Sequence, residues 1–230
     1  MKRFPIVISA MAIMAVLVPA SARAQQAEFK DFTAGVGSIL RFRQFGDAAT
    51  LGKGRVELGV QLTSADDAEP AWNGLALDQS SELPGVVARV GVGNRVDVGA
   101  WGRLNTESDY AAAGIDTKIM LMKQGPASPV SIAIRPSISA LIGPSEVWAG
   151  NASIDFSVSR AIGNLSPYVG VATTGSLVAE RSKDLDLDPA TANGSTSYAG
   201  LTYRWKTLVV AAEVERADVV SYGIRVGTRF

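Results

Sequence analysis

The chain has 230 residues, with 22 Lys and Arg against 22 Asp and Glu, and neither His nor Cys. Balanced charge argues against a nucleic-acid partner, which calls for a basic patch. The lack of Cys excludes disulfides, thiolate chemistry and a lipoprotein anchor, and the lack of His removes the usual base of nucleophile–base sites.

In chain order, Lys2 and Arg3 precede the uncharged run "IVISAMAIMAVLV", and Ala22–Arg23–Ala24 forms a small-x-small site. That is the pattern of a cleaved leader, so residues 1–24 are expected to be a signal peptide. Without Lys2, Arg3 and Arg23, 19 basic residues remain against 22 acidic ones. Residues 25–51 contain "GVGSILRFRQFGD", with Arg41 and Arg43. This segment is expected to plug, underlie or extend whatever domain follows. No stretch after the leader gives a clear 3.6-residue period.

From Gly52 to Phe230 the pattern has period two. Ten runs follow one another, from "GRVELGVQLT" through "GVVARVGVG", "RVDVGAWGRL", "GIDTKIMLMK", "VSIAIRPSISAL", "VWAGNASIDFSVSR", "SPYVGVATTGSLV", "SYAGLTYRW" and "TLVVAAEVER" to "SYGIRVGTRF". Each sets apolar residues on one face against Gly, Ser, Arg, Asp or Glu on the other. Pro136, inside the fifth run, predicts a bulge or a weak pairing there. The two longest connections follow the first and seventh runs, and tight ones follow even-numbered runs. In a meander, long loops then crowd one end and turns the other.

Alternation does not say which face is wet. A soluble barrel buries the apolar face, and a membrane barrel turns it to lipid. Small residues on the polar face suit a narrow lumen. Charges of both signs on that face suit an enclosed space, with Glu213 and Glu215 expected beside Arg225 and Arg229, and Arg55 and Glu57 on the strand that closes against the last. Aromatic residues are expected in two girdles. Phe230, Trp205, Tyr203 and Tyr168 would lie at the short-turn end, and Tyr222, Trp148 and Tyr110 at the other. The predicted fold is therefore all-β: a closed up-and-down antiparallel transmembrane β-barrel of about ten strands (eight or twelve are the neighbouring even counts) over residues 52–230.

On these residues the chain resembles bacterial outer-membrane β-barrel proteins of the small porin-like group. The resemblance implies an outer-membrane location, contact with lipid and lipopolysaccharide, and assembly by the barrel assembly machinery. It implies that Tyr222, Ile224, Val226 and Phe230 form the C-terminal assembly signal.

The residues expected to face the lumen are Arg55, Glu57, Arg89, Asp97, Trp101, Arg103, Asp116, Lys118, Arg135, Asp155, Arg204, Glu213, Glu215, Arg225 and Arg229. Trp101 beside Arg103 reads either as a constriction with a cation–π contact or as lumen filling. No catalytic residue is assigned: Glu213 and Glu215 share a face, but their Arg neighbours favour a structural role. No cofactor or metal is expected. Asp184, Asp186 and Asp188 lack the Gly and Glu of a calcium loop, with Pro189 and Ser195 in those places. The expected function is an envelope scaffold or a narrow pore for small solutes. The alternative is a soluble periplasmic barrel that binds a hydrophobic ligand.

Overall fold

The computed structural model describes residues 25–37, 39–41, 43, 45–65, 71–72, 75–76, 83–105, 110–181, 187–217 and 220–230. The expected signal peptide, Asp184 and Asp186 lie outside the described residues.

A helix, α1, covers 25–37 and 39–40. The strands are β1 (Val56–Ala65), β2 (Ala71–Trp72), β3 (Leu75–Ala76), β4 (Leu83–Gly91), β5 (Val96–Asn105) and β6 (Tyr110–Met122). They continue with β7 (Ser131–Ile142), β8 (Val147–Ser159), β9 (Leu165–Glu180), β10 (Ala190–Trp205), β11 (Leu208–Arg216) and β12 (Val220–Arg229). β2 and β3 pair only with each other, within the first long connection. The other ten form one closed barrel of antiparallel neighbours, with β1 sealing it between β4 and β12. Closure leaves no strand edge and so satisfies every ladder without water.

The faces sort as period two requires. Val60 is 60% exposed and lies opposite Val226 on β12 and Val86 on β4, both exposed too. Ile115, Ile138, Ile154, Phe156 and Val171 continue this apolar outer face. Inward positions of the same strands carry Glu57, Arg89, Asp97, Asp116, Arg135 and Asp155, all buried. An exposed apolar belt around a charged interior is the reverse of a soluble barrel and the arrangement of one that sits in lipid. Hence the soluble alternative fails on the exterior.

Two inward Tyr side chains explain part of the Gly content. Tyr168 lies opposite Gly200, and Tyr198 opposite Gly170, across the β9–β10 ladder. A Cβ at either glycine would collide with the tyrosine ring. The two rings stand 6.3 Å apart at 59°, so the glycines are the floor on which the aromatic pair rests.

Several details differ from the sequence reading. The ten barrel strands run from 9 to 16 residues, with β9 and β10 the longest at 16 each, so the longer strands exceed the span that lipid requires. Pro136 causes no bulge. It stays opposite Ile154 on β8, and the other expected outcome, weak pairing, is what occurs: the ladder to β6 lapses between Asp116↔Ser137 and Ile119↔Ile134. The register shift lies elsewhere, between Met120 and Met122. Tyr110 and Tyr168 are buried in the barrel and belong to no girdle, because their positions fall on the inward phase. Trp205, Tyr203 and Phe230 at the short-turn end, and Trp148 and Tyr222 at the other, are exposed. Phe230 and Val56 exchange two backbone hydrogen bonds, of 2.9 and 3.2 Å, which extends the seam beyond β12.

α1 is the largest departure, since the sequence reading assigned no helix after the leader. Phe29, Phe32, Val36, Ile39 and Leu40 do recur at helical spacing. The glycines among them, Gly35 and Gly37, weaken the helix signal, and tertiary burial supplies what propensity does not.

Candidate functional site: the occupied lumen

The interior has two zones. In the long-loop half, α1 lies inside the barrel. Phe29, Phe32, Val36, Ile39 and Leu40 pack with Val87, Trp101, Tyr110, Leu141, Val147 and Val178 from the wall. Here much of the inner wall is apolar too, with Ser139 and Ser176 among the polar exceptions that meet α1. The rings of Phe29 and Phe32 stack with centroids 6.3 Å apart. Gln26 donates to the carbonyl of Asp188, which places the start of α1 beside the β9–β10 loop. The Ser139 hydroxyl donates to the Leu40 carbonyl at 2.6 Å and fixes its far end.

From there the described residues 41, 43 and 45–51 follow the inner wall, with Phe45 in the left-handed region at φ 37°, and the wall bonds many of their polar groups. Arg41 pairs with Glu215 and donates to Thr196 Oγ1 at 2.6 Å. Arg43 Nε lies 3.9 Å from Glu215 Oε2. Phe45 N–H donates to Glu213 Oε2 at 3.1 Å, and the Tyr168 hydroxyl donates to the same oxygen at 2.9 Å. The Phe45 ring sits over Gly223, where a Cβ would collide with it. Asp47 pairs with Arg204. Lys118 Nζ donates to the carbonyls of Asp47 and Ala49 at 3.1 and 2.8 Å. Leu51 N–H donates to both oxygens of Asp97, at 3.1 and 3.0 Å. The described residues between Gln25 and Leu51 are thus tied to the inner wall along the barrel.

Beneath and around the plug the wall residues pair among themselves. Arg89 Nη2 lies 2.8 Å from Asp116 Oδ2, and Arg135 Nε lies 3.7 Å from the same oxygen. Glu57 holds Arg225 at 2.8 Å and Arg229 at 2.5 Å across the β1–β12 seam. Tyr198 bonds Asp155, which lies opposite Arg135. Arg103 stacks over Trp101 at 4.8 Å. Trp101 in turn packs in the α1 core, and a Cβ at Gly114 opposite would meet its ring.

Of the fifteen residues expected in the lumen, fourteen lie on inward positions. Arg204 and Arg229 are partly accessible near the short-turn end, and the other twelve are buried. Arg55 does not belong with them. It follows the turn at Lys53–Gly54, just before β1, and is exposed. The expected pairing of Glu213 and Glu215 with Arg225 and Arg229 is also incorrect. In register, Glu213 meets Gly223 and Glu215 meets Ser221, so Arg225 and Arg229 turn to Glu57 and the plug claims the two glutamates. Asp47, Thr196 and the α1 residues were not anticipated; only the spacing of Phe29, Phe32, Val36 and Leu40 pointed to them. Tyr222, Ile224, Val226 and Phe230 all face outwards.

A groove of about 760 Å³ lies on the outer wall. Ala113, Ala140, Gly150, Ala152 and Gly175 form its depression, between Ile115, Ile138, Trp148 and Leu177. It is part of the apolar belt.

No family model matches the chain, and no curated protein matches it either. Solved structures do. An outer membrane channel from Pseudomonas putida F1 covers 82% of this chain and 100% of its own, at 10% identity and a TM-score of 0.50. The fold is that of an outer-membrane β-barrel. The KdgM porin covers 76% of this chain and 99% of its own, at 11% identity and a TM-score of 0.42. The N-terminal β-barrel domain of Pseudomonas aeruginosa OprF covers 78% and 99%, at 12% identity and a TM-score of 0.37. At such identities the likeness concerns fold.

Proposed function

We propose that this protein is a non-enzymatic barrel of the Gram-negative outer membrane, sealed by its own N-terminal segment, that serves the envelope as a scaffold. The observation that carries this reading is the plug. Phe29, Phe32, Val36 and Leu40 are buried within the barrel, and Arg41, Phe45, Asp47 and Leu51 are each tied to the wall by a charged or polar side chain. A lumen occupied in this way has no room for a solute file, so the scaffold reading is preferred to the open pore. The apolar belt supports residence in lipid, and the long loops would face lipopolysaccharide. A chain without His or Cys also lacks the usual parts of a hydrolytic site.

The test is conductance in planar bilayers. Refolded protein is expected to leave the membrane sealed, and a variant lacking residues 25–51 to conduct, provided it still shows the heat-modifiable band of a closed barrel. Steady ohmic conductance from the intact protein would overturn the sealed reading.

A further inference from the structure

The short-turn end of the barrel is basic all the way round. Its exposed charged side chains are Lys53 and Arg55 at the entry to β1, Arg95 between β4 and β5, Lys123 between β6 and β7, Arg160 between β8 and β9, and Lys206 between β10 and β11. Residues 52–55, 92–95, 123–130, 160–164 and 206–207 contain no Asp or Glu. Even with a terminal carboxylate at Phe230 set against them, the cations predominate. Among the described residues, none of the six forms an ion pair. The opposite end is the reverse: its first long connection, 66–82, carries five acidic residues and no Lys or Arg.

Hydrogen bonds brace this rim into a ring. The Met120 N–H donates to the Arg95 carbonyl at 2.8 Å, and Gln124 exchanges two bonds with Ala161 at 2.7 and 3.0 Å. The Arg204 N–H donates to the Asn164 carbonyl at 2.9 Å, and the Arg229 N–H to that of Thr207 at 2.8 Å. Phe230 and Val56 close the circuit, with Gly54 N–H donating to the Gly91 carbonyl at 2.7 Å. The cations also alternate with exposed apolar side chains. Val92 shares a turn with Arg95, Met122 precedes Lys123, Ile162 follows Arg160, Trp205 precedes Lys206, and Phe230 lies beside the β1 entry. Lys206 Nζ stands 5.2 Å from the Trp205 ring centroid. Lys206 also keeps a side chain at φ 55°, in the left-handed region that favours Gly.

We propose that this rim binds the anionic headgroups of phospholipids in the leaflet that meets the short turns. The inference rests on the barrel's residence in lipid. The apolar rim residues continue the belt into the acyl region, and the long cationic side chains beside them reach the phosphate layer. Lipid surrounds the barrel, as the cations do. A protein or a cell-wall strand would touch one sector and would not call for Ile162, Trp205 and Phe230 between the charges.

The experiment uses protein refolded into phosphatidylcholine bilayers with a trace of spin-labelled phosphatidylglycerol or phosphatidylcholine. Electron spin resonance reads the fraction of each label held at the barrel surface. A cation at an anionic surface favours the lipid beside it about fivefold, and dilution by the leaflet that meets the acidic loops should leave about a twofold preference for phosphatidylglycerol. Arg95→Gln, Lys123→Gln, Arg160→Gln and Lys206→Gln combined should bring the two labels to parity. An undiminished preference in that variant overturns the proposal, and so does parity in the unaltered protein. Should the variant not fold, salt decides. Raising sodium chloride from about 0.05 to about 0.5 M should erase the preference by screening exposed charges, and a preference that persists overturns the proposal. Lipid parity together with sedimentation of the protein, in nanodiscs, with isolated peptidoglycan would assign the rim to the cell wall and overturn it too. A protein that forms no heat-modifiable band in either lipid overturns residence in lipid as well, whereas parity around a folded barrel overturns this proposal alone.

Discussion

Glu57 is the single carboxylate holding two guanidinium groups at the seam where the barrel closes. It lies on β1 opposite Arg229 of β12 and Arg89 of β4, pairs with Arg225 at 2.8 Å and Arg229 at 2.5 Å, and is 2% exposed. Glu57→Gln keeps the shape and one acceptor but leaves both cations without their counter-charge. Breaking a buried pair by removing one partner costs about 3–5 kcal/mol. In a protein of this size that lowers the unfolding midpoint by about 6–20 °C. The assay is heat modifiability or urea unfolding in micelles, for Glu57→Gln, Arg225→Met and the double variant. Much of the loss should return in Glu57→Met with Arg225→Met, because an apolar pair of similar volume carries no buried charge. A loss below about 1 kcal/mol for Glu57→Gln would refute the reasoning. That is the worth of a water-screened surface pair, and it would mean that the lumen is wet and open.

Val60→Arg places a charge in the apolar belt and should cost about 2–4 kcal/mol if the site is near the bilayer midplane; a soluble barrel would show no loss in urea unfolding. Gly223→Val puts methyl groups where the Phe45 ring sits. It should lower stability by about 1–3 kcal/mol, as overpacking does, and should raise bilayer conductance by unseating the plug. Phe230→Ala removes an exposed aromatic at the short-turn rim. It is expected to reduce the heat-modifiable fraction recovered from membranes while leaving secretion across the inner membrane unchanged, as followed by fractionation.

Period-two alternation over ten runs determines the strands, their even number and their up-and-down order, because side chains alternate strictly across a pleated sheet. Val60, Ile115 and Ile154 could be assigned to one face, and Arg89, Asp116 and Arg135 to the other, from sequence alone. Pairing was not legible. Glu213 and Glu215 look like partners of Arg225 and Arg229 until the register sets them opposite Gly223 and Ser221. Tyr110 and Tyr168 sit near strand ends as girdle residues do, but on the inward phase, where they are buried. The sequence left open whether residues 25–51 plug, underlie or extend the barrel, and it did not show the helix. Residues 25–40 have weak helical propensity, and they fold as α1 because the barrel offers Val87, Trp101, Leu141 and Val178 as an apolar lining that an isolated segment lacks. A local pattern can specify each strand, whereas the contents of the lumen depend on surfaces that exist only once the sheet has closed.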